Sequence, residues 1–275
     1  DPIQTRSCLH GPARLLFFQS RIFRLGRPGN MCGRFTLTSN LDELQVRFGF
    51  LSEFTGLKSF EHGPEQGPRY NIAPTQQVLT VTNDGQKSGE LMRWGLVPFW
   101  AKDLKVGARM INAVGETVAT KPAFRAAFKK RRCLVLANGF YEWKTDGKRK
   151  LPNYIYPRNG EPMAFAGLWE TWKSPKGEVV QSCTIITTEA NPFIQTLHTR
   201  MPVILSDETQ ALWLDPLTED PKNLEPLLIP APVELLTSHR VSETVNSVKN
   251  QGPECIVPLS EEAPGEETPG GRLFS

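Results

Sequence analysis

Cysteine is sparse in this chain and carries no pattern. There are five in 275 residues, an odd count, with no CxxC pair and no regular spacing. That argues against a disulfide framework or a structural zinc site and makes a reducing compartment the default. No apolar run approaches the roughly 20 residues a membrane helix needs, so a helical span is excluded and no membrane partner is expected. A Gly-rich phosphate loop, an HExxH pair and a GxSxG elbow are all missing, which removes the common nucleotide, metalloprotease and hydrolase signatures. What remains is a globular composition: 39% hydrophobic and 22% charged residues, with 15 Phe and 6 Trp, enough for a self-sufficient core.

Acidic residues are nearly absent from the first 30 positions, where Arg6, Arg14, Arg21, Arg24 and Arg27 face only Asp1. Setting these aside leaves 27 basic and 28 acidic residues, a net charge of −1 for residues 31–275. The body is neutral, so any polyanion must meet a local patch.

Composition divides the chain into three. Residues 1–30 show no clean period, and the cluster Leu15, Leu16, Phe17 and Phe18 is too short for a signal-peptide core. The segment reads as a leader outside the core, and Met31-Cys32-Gly33-Arg34-Phe35 reads as a second beginning. Residues 31–260 form the expected domain, and residues 261–275, rich in Glu, Pro and Gly, are expected to be a solvated, disordered tail. Within the body, Ser39 or Asn40 can cap a helix through Leu41, Leu44 and Phe48, and Ser206 can cap another over Ser206–Leu214. A third helical stretch fits Thr117–Lys130, with Pro122 limiting its regularity. Val78–Asn83, Cys133–Ala137, Met163–Trp169 and Ser182–Thr187 read as strands. Strands outnumber helices without strict alternation, so the expected class is α+β.

Four residues stand out for chemistry. Cys32, if Met31 is the initiator and is removed, becomes the N-terminal residue. About 15% of an α-amine is neutral at pH 7, against about 0.04% of a lysine. Such an amine condenses with an aldehyde to an imine, and the adjacent thiol can close on it to a thiazolidine. The other reading of Cys32 is a small buried residue in a first strand. Glu142, in Asn138-Gly139-Phe140-Tyr141-Glu142-Trp143, is either a partly buried proton shuttle or a solvated carboxylate beside packed aromatics. His198, in Leu197-His198-Thr199-Arg200-Met201-Pro202, fits a general acid or a capped structural histidine. Asn112 could orient a carbonyl or hydroxyl, or simply serve a turn. The basic run Lys129-Lys130-Arg131-Arg132 is a solvated face or, with Trp94, Phe99 and Trp100, part of a groove that tracks phosphates and stacks bases.

Seven ordered segments resemble one family. They are MCGRF (31–35), RYNIAP (69–74), RWGLVPFW (93–100), INAVGET (111–117), RRCLVLANGFYEW (131–143), HTRMPVIL (198–205) and VKNQGPE (248–254). The family is the SOS-response-associated peptidase (SRAP) proteins, which shield abasic sites in single-stranded DNA. The resemblance implies one domain with a mixed, β-barrel-like core of mainly antiparallel strands and peripheral helices, acting as a monomer without metal or organic cofactor. It implies that Cys32 captures the ring-opened abasic aldehyde as a thiazolidine crosslink, that Glu142 and His198 move protons, and that Asn112 holds the sugar. Arg34, Asn71, Pro74, Trp94, Gly95 and Arg200 match positions that contact the DNA backbone or wedge beside the flipped nucleotide. An imine at C1′ also invites strand incision by β-elimination. The implied location is the cytoplasm and nucleoid for a bacterial protein, or otherwise the nucleus or an organelle.

Two departures bear on this expectation. Val114 replaces an arginine of the family pattern N-A-R-x-E-T, a lost phosphate contact of about 1–2 kcal/mol. The leader would block the Cys32 amine, so the expectation is that the working protein begins at Met31 or is cut there. Two other functions compete: a cysteine peptidase, able to cleave itself, built on Cys32, His198 and Asn112, and a noncatalytic binder of single-stranded DNA.

Overall fold

A computed structural model describes residues 32–51 and 67–259. The leader, Met31, His10, His62 and the tail from residue 260 lie outside these residues.

The first strand, β1 (Phe35–Leu37), precedes helix α1 (Leu41–Phe48), whose start follows from the expected cap. Asn40 accepts from the Glu43 amide and Glu43 reaches back to the Asn40 N–H, a capping box, while Gly49 closes the helix in the left-handed region. Three strands follow: β2 (Arg69–Ile72), β3 (Gln77–Thr82) and β4 (Gly89–Trp94). Next come β5 (Asn112–Val114), α2 (Gly115–Val118), α3 (Arg125–Lys130) and β6 (Arg132–Ala137). The expected helix over Thr117–Lys130 is therefore two short ones, parted around Pro122, which cannot donate a helical N–H. A long hairpin, β7 (Gly139–Asp146) and β8 (Arg149–Pro157), leads to β9 (Met163–Lys173) and β10 (Val179–Glu189). The chain finishes with β11 (Arg200–Pro202), β12 (Ile204–Leu205), α4 (Asp207–Leu214, capped by Ser206), α5 (Pro221–Leu224) and β13 (Leu236–Arg240).

Strands β10, β4, β3, β6 and β9 pair in that order, and β9 pairs again with β10, so five strands close into a barrel. Among the described strands every pairing is antiparallel except those of β10 with β4 and β5, and an isolated bridge between Leu51 and Ser88 is parallel as well. Outside the barrel lies a five-stranded antiparallel sheet in the order β13-β8-β7-β1-β2. Barrel-facing residues of β6 and β9 are apolar throughout, as closure demands. Phe35 and Phe140 join sheet to barrel: Phe35 meets Trp94 at 5.1 Å and Phe165 at 6.0 Å, and Phe140 meets Phe165 at 6.0 Å, all edge to face. This aromatic seam is the floor on which the candidate site stands. No helix among the described residues is long and apolar enough to cross a membrane.

Candidate active site

Pairing of β1 with β7 sets Phe35 opposite Phe140 and Thr36 opposite Gly139. The pairing continues upstream, with the Tyr141 amide donating to the Arg34 carbonyl. Cys32 is thereby carried alongside Glu142. Because side chains alternate along a strand, Glu142 shares the inward face of Phe140, while Tyr141 points to a second small core with Tyr154, Val241, Val245 and Cys255. Both site residues are enclosed, Cys32 at 4% and Glu142 at 2% exposure. Glu142 Oε1 accepts from the Cys32 main-chain N–H at 2.8 Å and from its thiol at 2.9 Å. Cys32 itself holds a left-handed φ of +40°.

Burial pushes the Glu142 carboxyl above the usual carboxylate range; the Cys32 bonds and the nearby His198 partly oppose it. Burial, then the Glu142 charge, pushes the Cys32 thiol well up, with Arg200 opposing. These mutual effects place Cys32, Glu142, His198 and Arg200 in one neighbourhood. His198 sits in the loop before β11, half-buried, and its Nδ1 accepts the Arg200 main-chain N–H at 3.1 Å. The Arg200 guanidinium is bidentate to Glu116, at 2.5 and 2.7 Å, and also donates to the Thr187 carbonyl at 2.7 Å. Asn112 opens β5 on the other edge of β10, opposite Ile185 and two positions before Val114, which faces Thr187.

The residues expected to touch DNA fall into two groups. Pro74 is half-buried at the surface beside Thr75, and Arg34 is half-buried, its guanidinium donating to Asn71 Oδ1 and to the carbonyls of Val245 and Asn246. Asn71 and Trp94 are enclosed, each at 0% exposure. Asn71 spends its amide on the carbonyls of Val245, Ser247 and Asn250, pinning the segment 241–259 beside the site. Trp94 donates to the Ile111 carbonyl and packs under Phe35. Gly95 is buried as well, with φ +123°; a Cβ there would meet the Gly107 carbonyl oxygen at 2.5 Å, so two backbones touch where only glycine fits.

The basic run divides between surface and core. Arg132 is wholly buried and donates to the carbonyls of Phe128, Lys129, Trp213 and Asp215. Arg131 pairs with Glu170 and Lys130 with Glu219. A buried guanidinium must spend its donors internally, so Arg132 organises the α3–β6 corner, while Lys129 and Lys130 stay exposed on its surface. Phe99 and Trp100 are exposed, at 64% and 53%.

Sequence reading passed over Trp143 and Glu116. Trp143 follows Glu142 on β7, lies under the Arg34 cation and donates to Asn246 Oδ1 at 2.8 Å. Its signal was its place beside a candidate acid. Glu116 lay inside a quoted motif, but only the tertiary pairing with Arg200 reveals it. Among the described residues, no group of three or more His, Cys, Asp or Glu could hold a metal ion.

Residues 31–248 match the family model described as SOS response associated peptidase (SRAP). Over 229 residues the chain is 45% identical to the abasic site processing protein YoqW of Bacillus subtilis, covering 82% of this chain and 99% of that one. It is 38% identical over 232 residues to the abasic site processing protein HMCES of Gallus gallus, covering 72% and 68%. A crystal structure of a protein from Bacteroides thetaiotaomicron superposes with a TM-score of 0.75 at 24% identity, covering 83% and 100%, a likeness of fold. A motif-ordered sequence, a closed barrel with its outer sheet, and a match running from Met31 into the pinned segment agree: the chain belongs to the SOS response associated peptidase family.

Proposed function

We propose that this protein processes abasic sites in DNA by covalent capture at Cys32. The observation that carries the proposal is the single carboxylate oxygen of Glu142 that accepts from both the nitrogen and the sulfur of Cys32. With Cys32 N-terminal, that nitrogen is an amine. It attacks C1′ of the ring-opened deoxyribose, the resulting carbinolamine loses water to an imine, and the thiol adds to the imine carbon to close a thiazolidine. Each step moves a proton from a donor already on Glu142, a carboxyl whose burial raises its affinity for protons and so suits it to a shuttle. His198 supplies a proton to the departing hydroxyl, Asn112 orients the sugar, and Arg34, Pro74 and Arg200 stand nearest the strand. Single-stranded DNA is the partner, with Asn71, Trp94 and Gly95 shaping the site from beneath.

A peptidase thiol attacks as thiolate, whereas here burial and the Glu142 charge both hold the Cys32 thiol neutral. An amine-first mechanism uses that neutral thiol; a peptidase mechanism does not. The reading requires the leader and Met31 to be absent from the working form, so that the 31–260 domain starts there at Cys32.

The test is a protein beginning at Cys32 mixed with a single-stranded oligonucleotide carrying one abasic site, beside a protein retaining residues 1–30. A heat- and SDS-stable shifted band from the first alone is the expected result. Reversible binding by both with no stable product overturns the covalent mechanism and leaves a noncatalytic binder.

A further inference from the structure

We propose that Glu116 is a positioning residue that sets the tautomer of His198 through Arg200; the catalytic consequence rests on the abasic-site reading above. Four observations carry it. Gly115 packs 3.1 Å (Cβ position) from the Thr187 carbonyl oxygen, so α2 starts hard against β10 and delivers Glu116 to that strand. Glu116 then grips both terminal nitrogens of Arg200, and Thr187 takes a further bond from one of them. Two elements thus fix the far end of an arginine that β11, three residues long, would hold only at its backbone. Finally, the main-chain N–H of that arginine donates to His198 Nδ1.

A ring nitrogen that accepts a hydrogen bond carries no proton. In neutral His198 the proton therefore sits on Nε2, the nitrogen left to act on substrate or on the neighbouring Glu142. The donor is a backbone amide, so its aim depends on where residue 200 lies. Residue 200 is held at its side-chain end by Glu116. An Arg200 side chain only 16% exposed also cannot discard its counter-charge freely. Without Glu116 the cation would lose that anchor and turn toward another buried anion, the Glu142 carboxylate, and draw residue 200 with it.

The experiment uses Glu116→Gln, which keeps shape and removes the charge, and Arg200→Lys, which keeps charge and loses the fork. Nitrogen-15 NMR of the histidine rings in the DNA-free protein reads the tautomer. His239, whose Nε2 bonds the Ile256 carbonyl far from α2, reports that the fold is intact. The native protein should show His198 as a single Nε2–H form, and both variants a mixture with an unchanged His239 signal. With abasic oligonucleotide, capture by Glu116→Gln should slow about tenfold. Reversible affinity, measured in a Cys32→Ala background, should change less than about twofold. A His198 signal identical in native and Glu116→Gln protein overturns the proposal, as does an affinity loss matching the loss in rate. If the native protein captures no abasic DNA, the function proposed above fails, while the ring spectra still decide this inference.

Discussion

Glu142 is costly to ionise where it lies. Two donors from Cys32 reach its Oε1, the Trp143 backbone N–H adds a weaker bond, and 2% of the residue is exposed. A carboxyl whose folded pKa is raised binds its proton more tightly in the folded chain than in the unfolded one. Stability from that group is therefore present at low pH and lost as pH climbs from the ordinary carboxylate range through the raised value. Glu142→Gln cannot ionise and escapes that loss. Relative to the native protein it should gain stability in urea as pH rises from the ordinary carboxylate range through the raised value, and hold that gain above it. A difference that stays flat, or runs the other way, means the carboxylate is better solvated than its burial indicates. The same substitution should abolish capture, so stability and activity part in opposite directions at one residue.

At the scale of elements, the site hangs on a register and a backbone contact. The register is that of β1 on β7, pinned by Asn138, whose Oδ1 accepts from the amides of Thr38 and Ser39. The contact is Gly95 on Gly107, which folds the 95–111 segment back so that Leu96 donates to Met110 and Asn112 arrives beside β10. Gly95→Ala places a methyl against a carbonyl oxygen and asks alanine to adopt φ +123°, so it should cost at least about 2 kcal/mol in urea or thermal unfolding. Much of this level was readable beforehand. The caps at Asn40 and Ser206, and the cores of β3, β6, β9 and β10, announce themselves by local chemistry and alternation. The β7–β8 hairpin did not, because its outer half is polar (Lys144, Asp146, Arg149, Lys150) and Pro152 interrupts the pattern. The site's triplet of Cys32, Glu142 and His198 was nameable from motifs. Its wiring was not, since the Cys32–Glu142 bond spans 110 positions and the Arg200–Glu116 pair 84. The burial of Trp94 and Asn71 was equally hidden, because an aromatic or an amide at the end of a strand suits surface and core alike.

Across the whole molecule, charge is spent inward. Arg132 and Arg131 close the α3–β6 corner, Arg34 ties the 241–259 segment to β1, and Arg200 is neutralised by Glu116. With a body of net charge −1 no overall field draws in a polyanion, these four arginines are already engaged, and Val114 adds no cation. The reversible affinity of a Cys32→Ala protein for single-stranded DNA should therefore fall only shallowly with salt. We expect a log–log slope no steeper than about −3, the signature of four phosphate contacts or fewer. A much steeper slope would reveal a basic surface elsewhere on the barrel.

The left-handed φ of Cys32 has a consequence for the order of events. A φ angle exists only while a residue precedes the nitrogen. Holding +40° costs a side-chain-bearing residue about 1 kcal/mol. Severing the bond to Met31 abolishes the angle and with it the penalty, while the nitrogen keeps its place on Glu142. On the reading proposed above, cleavage at this point would relax the same residue it arms, so the site would be shaped for the severed state in advance.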